Sequence, residues 1–215
     1  MSEILQPVVY QFRVVIVSVS PLVWRRLLVC SDTAIADFYH ILQITFGWTD
    51  CHLHQFLIHA KRYGQSRSGG IAFADNPREI KLSAFWLRLS EKFLYEYDFH
   101  DHWQHLIRIE AILEPQPNKS YPLCIGGKRA APPEDCGGAR RFMELRRQHS
   151  PFYLLQRAAE ILEDAEADRI AELRELSYWF LIERFDRHSV NRRLKQRFTV
   201  TGKTELTIER GDEPR

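Results

Sequence analysis

Residues 92–113 read KFLYEYDFHDHWQHLIRIEAIL, and the fold is decided here. In the second half, Trp103, His105, Ile107 and Ile109 fall on alternate positions, which is the period of a strand with one buried face. Lys92 to Phe99 and Trp103 to Leu113 are therefore two strands. Only His100, Asp101 and His102 separate them, so they form a tight antiparallel hairpin.

The same logic extends outward. Over residues 8–19, Tyr10, Phe12, Val14 and Ile16 alternate as another strand, which Pro21 breaks. Leu22 to Cys30 (LVWRRLLVC) is expected to pair back on it. Thr33 to Phe46 carries Ile35, Phe38, Leu42 and Phe46 at helical spacing, with Ser31 and Asp32 as candidate caps and Gly47 as the stop. His52 to Ala60 (HLHQFLIHA) reads as a further strand and residues 64–79, with Gly64, Gly69, Gly70 and Pro77, as a loop. Leu82 to Leu89 is a short helix or an irregular segment. Residues 114–138 are rich in Pro and Gly without apolar periodicity, which predicts a long loop. Beyond it, 139–148, 152–178 and 188–197 carry Arg, Glu and Leu at helical spacing, and 204–209 is a candidate terminal strand. The fold class is α+β: a mainly antiparallel sheet with one early inserted helix and a C-terminal group of helices. The expected division is a sheet-based core over 1–138 and a helical part over 139–215 packed on the same domain.

Composition bounds the function. Hydrophobic residues make up 45% and aromatic residues 12%, which excludes a disordered chain. Thirty basic residues stand against 28 acidic ones, a net charge of +2, so there is no strong overall pull on nucleic acid or anionic lipid. Met1 to Val19 lacks a basic n-region and has Gln11 and Arg13 in its apolar run, unlike a signal peptide. With no apolar stretch of membrane-spanning length, the expectation is a cytoplasmic protein without a membrane partner. Cysteines 30, 51, 124 and 136 make no CxxC pair and are expected to be reduced thiols.

The candidate chemistry lies in histidines and carboxylates. His52 and His54 share a strand face with Phe56 and Ile58, and His105 shares one with Trp103, Ile107 and Ile109. Both faces are expected to point inward, where the three imidazoles could converge. Asp98 and Asp101 flank the hairpin turn. Glu134 and Asp135 sit in the frame APPEDCGG (131–138), stiffened by Pro132 and Pro133 and bent at Gly137 and Gly138. Imidazoles with carboxylates suit a divalent transition metal such as zinc, manganese or iron, with His52, His54, His105 and Asp101 as candidate ligands. Without a metal, Asp98, Asp101 and Glu134 are the candidate acid–base groups. From spacing alone, a hydrogen-bonded structural network is the commoner explanation of the same residues. Arg25, Arg26, Trp103, Glu134 and Asp135 are candidate contacts to a small or anionic ligand. One of the two arginines is instead expected to ion-pair with Asp98, Asp101 or Glu134.

Taken together, Trp24-Arg25-Arg26, Phe46-Gly47-Trp48, His52-Leu53-His54-Gln55-Phe56, Tyr97-Asp98-Phe99 with Asp101, Trp103 and His105, Tyr121-Pro122 and Pro132 to Gly138 resemble the Ri-plasmid ORF-3-like family, some of whose members are labelled transposon-passenger TnpR proteins. The resemblance runs from about Tyr10 to Asn191, with Phe185-Asp186 and Val190-Asn191 as its C-terminal signature. His100 stands where the family usually has Gly, which is costly if that turn position needs a positive φ. The resemblance implies an α+β domain and a plasmid or mobile-element association, and it implies no mechanism. Neither an activated nucleophilic serine ringed by arginines nor the DNA-binding module of a serine resolvase is matched.

Three functions follow as expectations: a binding or accessory protein with a His/Asp-lined pocket, a metal-dependent hydrolase acting on a phosphoester or nucleic acid, and a DNA-binding protein using its C-terminal helices. The last rests on 13 Arg or Lys against 10 Asp or Glu over residues 139–197, with Arg192, Arg193, Lys195 and Arg197 clustered near the end.

Overall fold

In the computed structural model, residues 6–64, 73, 75–164 and 167–205 are described. The hairpin at the centre consists of β5 (Lys92–Tyr97) and β6 (Trp103–Leu113), paired antiparallel with Tyr97 opposite Trp103, Tyr95 opposite His105 and Phe93 opposite Ile107. Its loop is the five residues from Asp98 to His102, wider than the three expected. The left-handed backbone angles fall at Asp98 (φ 57°) and His102 (φ 51°) rather than at His100, so the imidazole in place of glycine carries no such strain.

Around this hairpin the chain builds one seven-stranded antiparallel sheet. The other strands are β1 (Val9–Ile16), β2 (Trp24–Cys30), β3 (His54–Ile58), β4 (Lys61–Gly64) and β7 (Leu123–Lys128), and the order is β4-β3-β5-β6-β1-β2-β7. Helix α1 (Ile35–Phe46) joins β2 to β3 and covers one face. Ile35, Phe38, Ile41, Leu42 and Phe46 are buried along its length. The Phe38 ring lies 4.9 Å from that of Phe12 and 5.7 Å from that of Phe56, so the helix stripe and the strand alternation meet in one aromatic core. Gly47 closes the helix in the left-handed conformation (φ 80°), its N–H donating to the Gln43 carbonyl.

Strand β7 lies in the stretch that reads as a loop. Its sequence LCIGGK hides it because two glycines replace the alternating side chains. One of them is a packing requirement: a Cβ on Gly127 would stand 2.4 Å from the Phe185 ring, whereas one on Gly126 would make an ordinary 3.5 Å contact with Trp24. As an edge strand, β7 needs a partner for its outer backbone groups. Asn191 supplies it, accepting from the Cys124 N–H at 2.8 Å and donating to the Cys124 carbonyl at 2.9 Å.

The C-terminal helices are α2 (Gly138–Gln148), α3 (Pro151–Asp164), α4 (Ala167–Phe180) and α5 (Arg187–Glu205). The single helix expected over 152–178 is two helices, α3 and α4, folded against each other. Leu154, Ile161 and Leu176 form their own small core, and Arg157 pairs with Glu172 across the junction. Phe142 of α2 and Val190 and Leu194 of α5 join the main core instead. Helix α5 continues through Glu205, so the candidate strand at 204–209 is not formed at its first two residues, and the remainder lies outside the described residues. Among the described residues, no helix is long and apolar enough to cross a membrane.

Candidate functional site

Three connections meet at one end of the sheet: residues 47–53 after α1, the β5–β6 loop at 98–102, and the 131–137 segment leading into α2. The proline pair does the anchoring that its stiffness suggests. Trp48 Nε1 donates to the Pro132 carbonyl at 2.9 Å. Glu134 is held from two sides, by the Tyr97 hydroxyl at 2.6 Å and the Thr49 N–H at 2.9 Å. The Gly137 N–H donates to Asp101 at 3.0 Å. Gly138 (φ 73°) lies so close to the hairpin that a Cβ would stand 2.3 Å from the Asp101 carbonyl oxygen. That close approach of two backbones is what the Gly-Gly pair permits.

Inside this clamp, His52, Asp98 and Asp135 come together. One donor atom from each lies within 4.8 Å of the other two, the only such three-residue His/Cys/Asp/Glu group among the described residues. His52 Nε2 is 2.9 Å from Asp135 Oδ1 and Nδ1 is 3.8 Å from Asp98 Oδ1. Despite the short separation, the buried Nε2 atom is out of line for a hydrogen bond and has no other partner among the described residues. Asp98 is 4% exposed, and its left-handed backbone is fixed by bonds from its N–H to the Leu53 carbonyl and from the His102 N–H to its own carbonyl. Its Oδ1 also accepts the His100 N–H at 3.0 Å. Asp135 stands at the rim, its side chain 68% exposed. The group therefore has a fixed inner carboxylate, a half-buried imidazole and an adjustable outer carboxylate.

The other candidate residues lie apart from it. His54 is buried on β3 and stacked on Tyr39 at 3.5 Å between ring centroids. His105 is fully buried on β6 among Phe46, Trp48 and Tyr95, with Nδ1 at 3.1 Å from the Trp103 carbonyl and Nε2 unpartnered among the described residues. Strand β5 runs between β3 and β6, so the width of a strand and the Tyr95 ring separate His54 from His105. His52 precedes β3 and escapes the period of two that would have aligned it with His54. Burial pushes the His105 imidazole down to about 3, so it is neutral at ordinary pH. Trp103 is a core residue packed against Trp48 and Phe142. Asp101 fastens the hairpin to the Gly137 backbone.

The arginines depart from expectation in their partners. Arg26 pairs with Glu110 across the sheet, not with Asp98, Asp101 or Glu134. Arg25 is 2% exposed and donates to the carbonyls of Thr45 (3.2 Å), Trp24 (2.8 Å) and Lys128 (3.0 Å). Its guanidinium lies 3.9 Å from the centre of the Phe185 ring. Desolvation lowers it to about 10, still cationic at neutral pH. The basic end of the chain is also partly occupied: Arg187 donates to Ile125 O and Arg193 to Ile44 O.

Around the carboxylates, burial raises the Tyr97 hydroxyl well above its usual value, and the Glu134 carboxylate it donates to adds to the shift. Desolvation, with Asp101 nearby, pushes the Cys136 thiol up to about 11. Neither is poised as a nucleophile near neutrality. Grooves lie elsewhere, beside Trp86 and between the start of α3 and the end of α4.

Comparison with known proteins places this arrangement in a family. The family model described as plasmid pRiA4b ORF-3-like protein matches residues 8–192, which takes in all three connections. The uncharacterised protein y4hQ of Sinorhizobium fredii is 31% identical over 137 residues, covering 63% of this chain and 70% of its own length. A crystal structure of MM3350, a protein of unknown function from Methanosarcina mazei, is 30% identical, with a TM-score of 0.62 over 85% of this chain and 97% of its own.

Proposed function

The chain belongs to the plasmid pRiA4b ORF-3-like family, and from that premise we propose that it is a binding protein whose His52, Asp98 and Asp135 side chains take a divalent transition metal. The observation that carries this reading is the 2.9 Å approach of His52 Nε2 to Asp135 Oδ1 without hydrogen-bond alignment. Ligand atoms at about 2.0–2.2 Å from a tetrahedral ion stand roughly 3.4 Å from one another, so the pair is close to the spacing a shared cation requires. One imidazole with two carboxylates favours zinc or manganese over soft thiophilic ions. Three protein ligands leave a coordination position for water or a small anionic group.

An open position is also where metal-assisted hydrolysis would start. The neighbouring Glu134 is already engaged by Tyr97 and the Thr49 N–H, which leaves it poorly placed to serve as a base. Binding is therefore the reading we adopt. Chelator-treated, untagged protein titrated calorimetrically with Zn²⁺ or Mn²⁺ should take one equivalent. Affinity should fall at least about tenfold in Asp135→Asn and vanish in His52→Ala/Asp135→Asn, while His105→Phe keeps it. Equal affinity in the wild type and the double variant would reject the site.

A further inference from the structure

The exposed apolar face of α3 points to an interaction that the metal site does not involve. Phe152, Leu155, Ala159 and Leu162 all face solvent, with Phe152 78%, Leu155 67% and Leu162 69% exposed. Their spacings along α3 are three, four and three residues. That is the seam of a helix awaiting another helix: the alternation of three and four keeps one narrow stripe facing a partner. The opposite side of α3, through Leu154 and Ile161, is already spent on α4. At the N-terminal end of α3 the seam opens into a groove of about 540 Å³ lined by Leu155, Trp179 and Phe180, with Arg147 and Pro151 on its wall. Phe180 and Leu181, each 45% exposed, extend the patch. An apolar patch of this extent with a polar rim marks an association surface.

We propose that this face pairs with the same face of a second copy of the chain, α3 running antiparallel to α3. Two features select that occupant and that direction. First, the seam is self-complementary when reversed. Phe152 meets Leu162 of the second copy and Leu155 meets its Ala159, a large residue against a large one at the ends and a large against a small one at the middle. Ala159 lets the helices approach closely there. Second, opposite charges flank the two ends of α3, the positive one supplied by the end of α2. Arg147 is exposed near the N-terminal end, Glu163 is exposed near the C-terminal end, and neither has an ion-pair partner among the described residues. Antiparallel pairing sets Glu163 of the second copy opposite Pro151, in the groove wall that Arg147 shares. It also sets each positive helix N-terminus beside a negative C-terminus. A parallel pair would put like charges together. The interface is isologous, so every contact occurs twice.

A 14-residue helix spans only about 21 Å, so the buried area falls at the low end for specific complexes. The dimer should therefore be concentration-dependent, with a dissociation constant on the order of micromolar. Sedimentation velocity on the full chain should show monomer passing to dimer as concentration rises. Leu155→Glu/Leu162→Glu, at two exposed positions, should remain monomeric at every concentration tested, with an unchanged circular dichroism spectrum and unchanged metal affinity. Arg147→Glu should weaken dimerisation several-fold, and Arg147→Glu/Glu163→Arg in the same chain should restore it. A wild type that stays monomeric, which would leave the face to a different protein, overturns the proposal. So does a dimer that survives the double leucine variant, and so does a charge reversal that fails to rescue.

Discussion

His105 shows what a single buried polar group contributes. Its imidazole is fully enclosed by aromatic rings, and desolvation holds it near 3, against about 6.5 in an unfolded chain. Between those values the unfolded state binds a proton that the folded state refuses. Stability therefore rises with pH across that window and is lost as pH falls from about 6.5 toward 3. The loss from this one residue is at most about 1.4 kcal/mol per pH unit. In His105→Phe the titration disappears, so denaturant-measured stability should fall less steeply between pH 6.5 and 4.5 than in the wild type. The lost bond to the Trp103 carbonyl lowers both ends of the curve alike and leaves the slope as the readout. Identical slopes would show that His105 does not couple folding to protonation. Arg25 is the companion case: a charge in the core with carbonyls and an aromatic face for partners, where the sequence suggested a carboxylate or an anionic ligand.

At the scale of elements, the site is an assembly of three connections, and the 131–137 segment supplies Asp135, one of the three side chains proposed to take the metal. Gly138 fixes that segment to the hairpin because its backbone touches the Asp101 carbonyl and its φ is positive. Gly138→Ala demands both a clash and a strained angle, so the segment must lift away from the hairpin. The expected result is a loss of metal affinity comparable with Asp135→Asn although no ligand has changed, with Tyr97 released from Glu134 and its near-ultraviolet signal altered. Full affinity in Gly138→Ala would separate loop attachment from binding. Part of this site was legible in the sequence: the carboxylates of the hairpin and of PPEDCGG stood out by their turn chemistry and rigid frame. Its grouping was not. Strand parity joined His52 to His54, yet β3 begins only at His54, and a residue just outside a ladder takes its direction from loop contacts that parity does not encode.

At the scale of the whole molecule, the sheet was readable where alternating side chains meet one core, as in β1, β5 and β6, and unreadable where packing demanded glycine, as in β7. The reversal between α3 and α4 carries neither Gly nor Pro to mark it: residues 164–168 read DAEAD. What that reversal creates is a second, much smaller core. Leu154, Ile161 and Leu176 pack together with Leu173 and Trp179, whereas the sheet, α1, α2 and α5 share the large one, with Trp179 touching both. At the base, the Tyr178 hydroxyl donates to the Ala131 carbonyl and the Ala130 N–H donates to the Ile182 carbonyl, tying the end of α4 and the residues after it to the segment before the site. A core of so few side chains cannot match the stability of the sheet, so the α3–α4 pair should open as its own unit while the sheet stays closed. Ile161→Ala removes about 2–5 kcal/mol from that small core, enough to shift the local equilibrium strongly. Hydrogen exchange on dilute protein should then accelerate in α3 and the first part of α4. Amides of β1, β5 and β6 should keep their wild-type rates, and those near Tyr178 and Ile182 should change least within the helical pair. If exchange instead accelerated equally in β6 and α3, the two cores would be one cooperative unit and the small cluster would have no stability of its own.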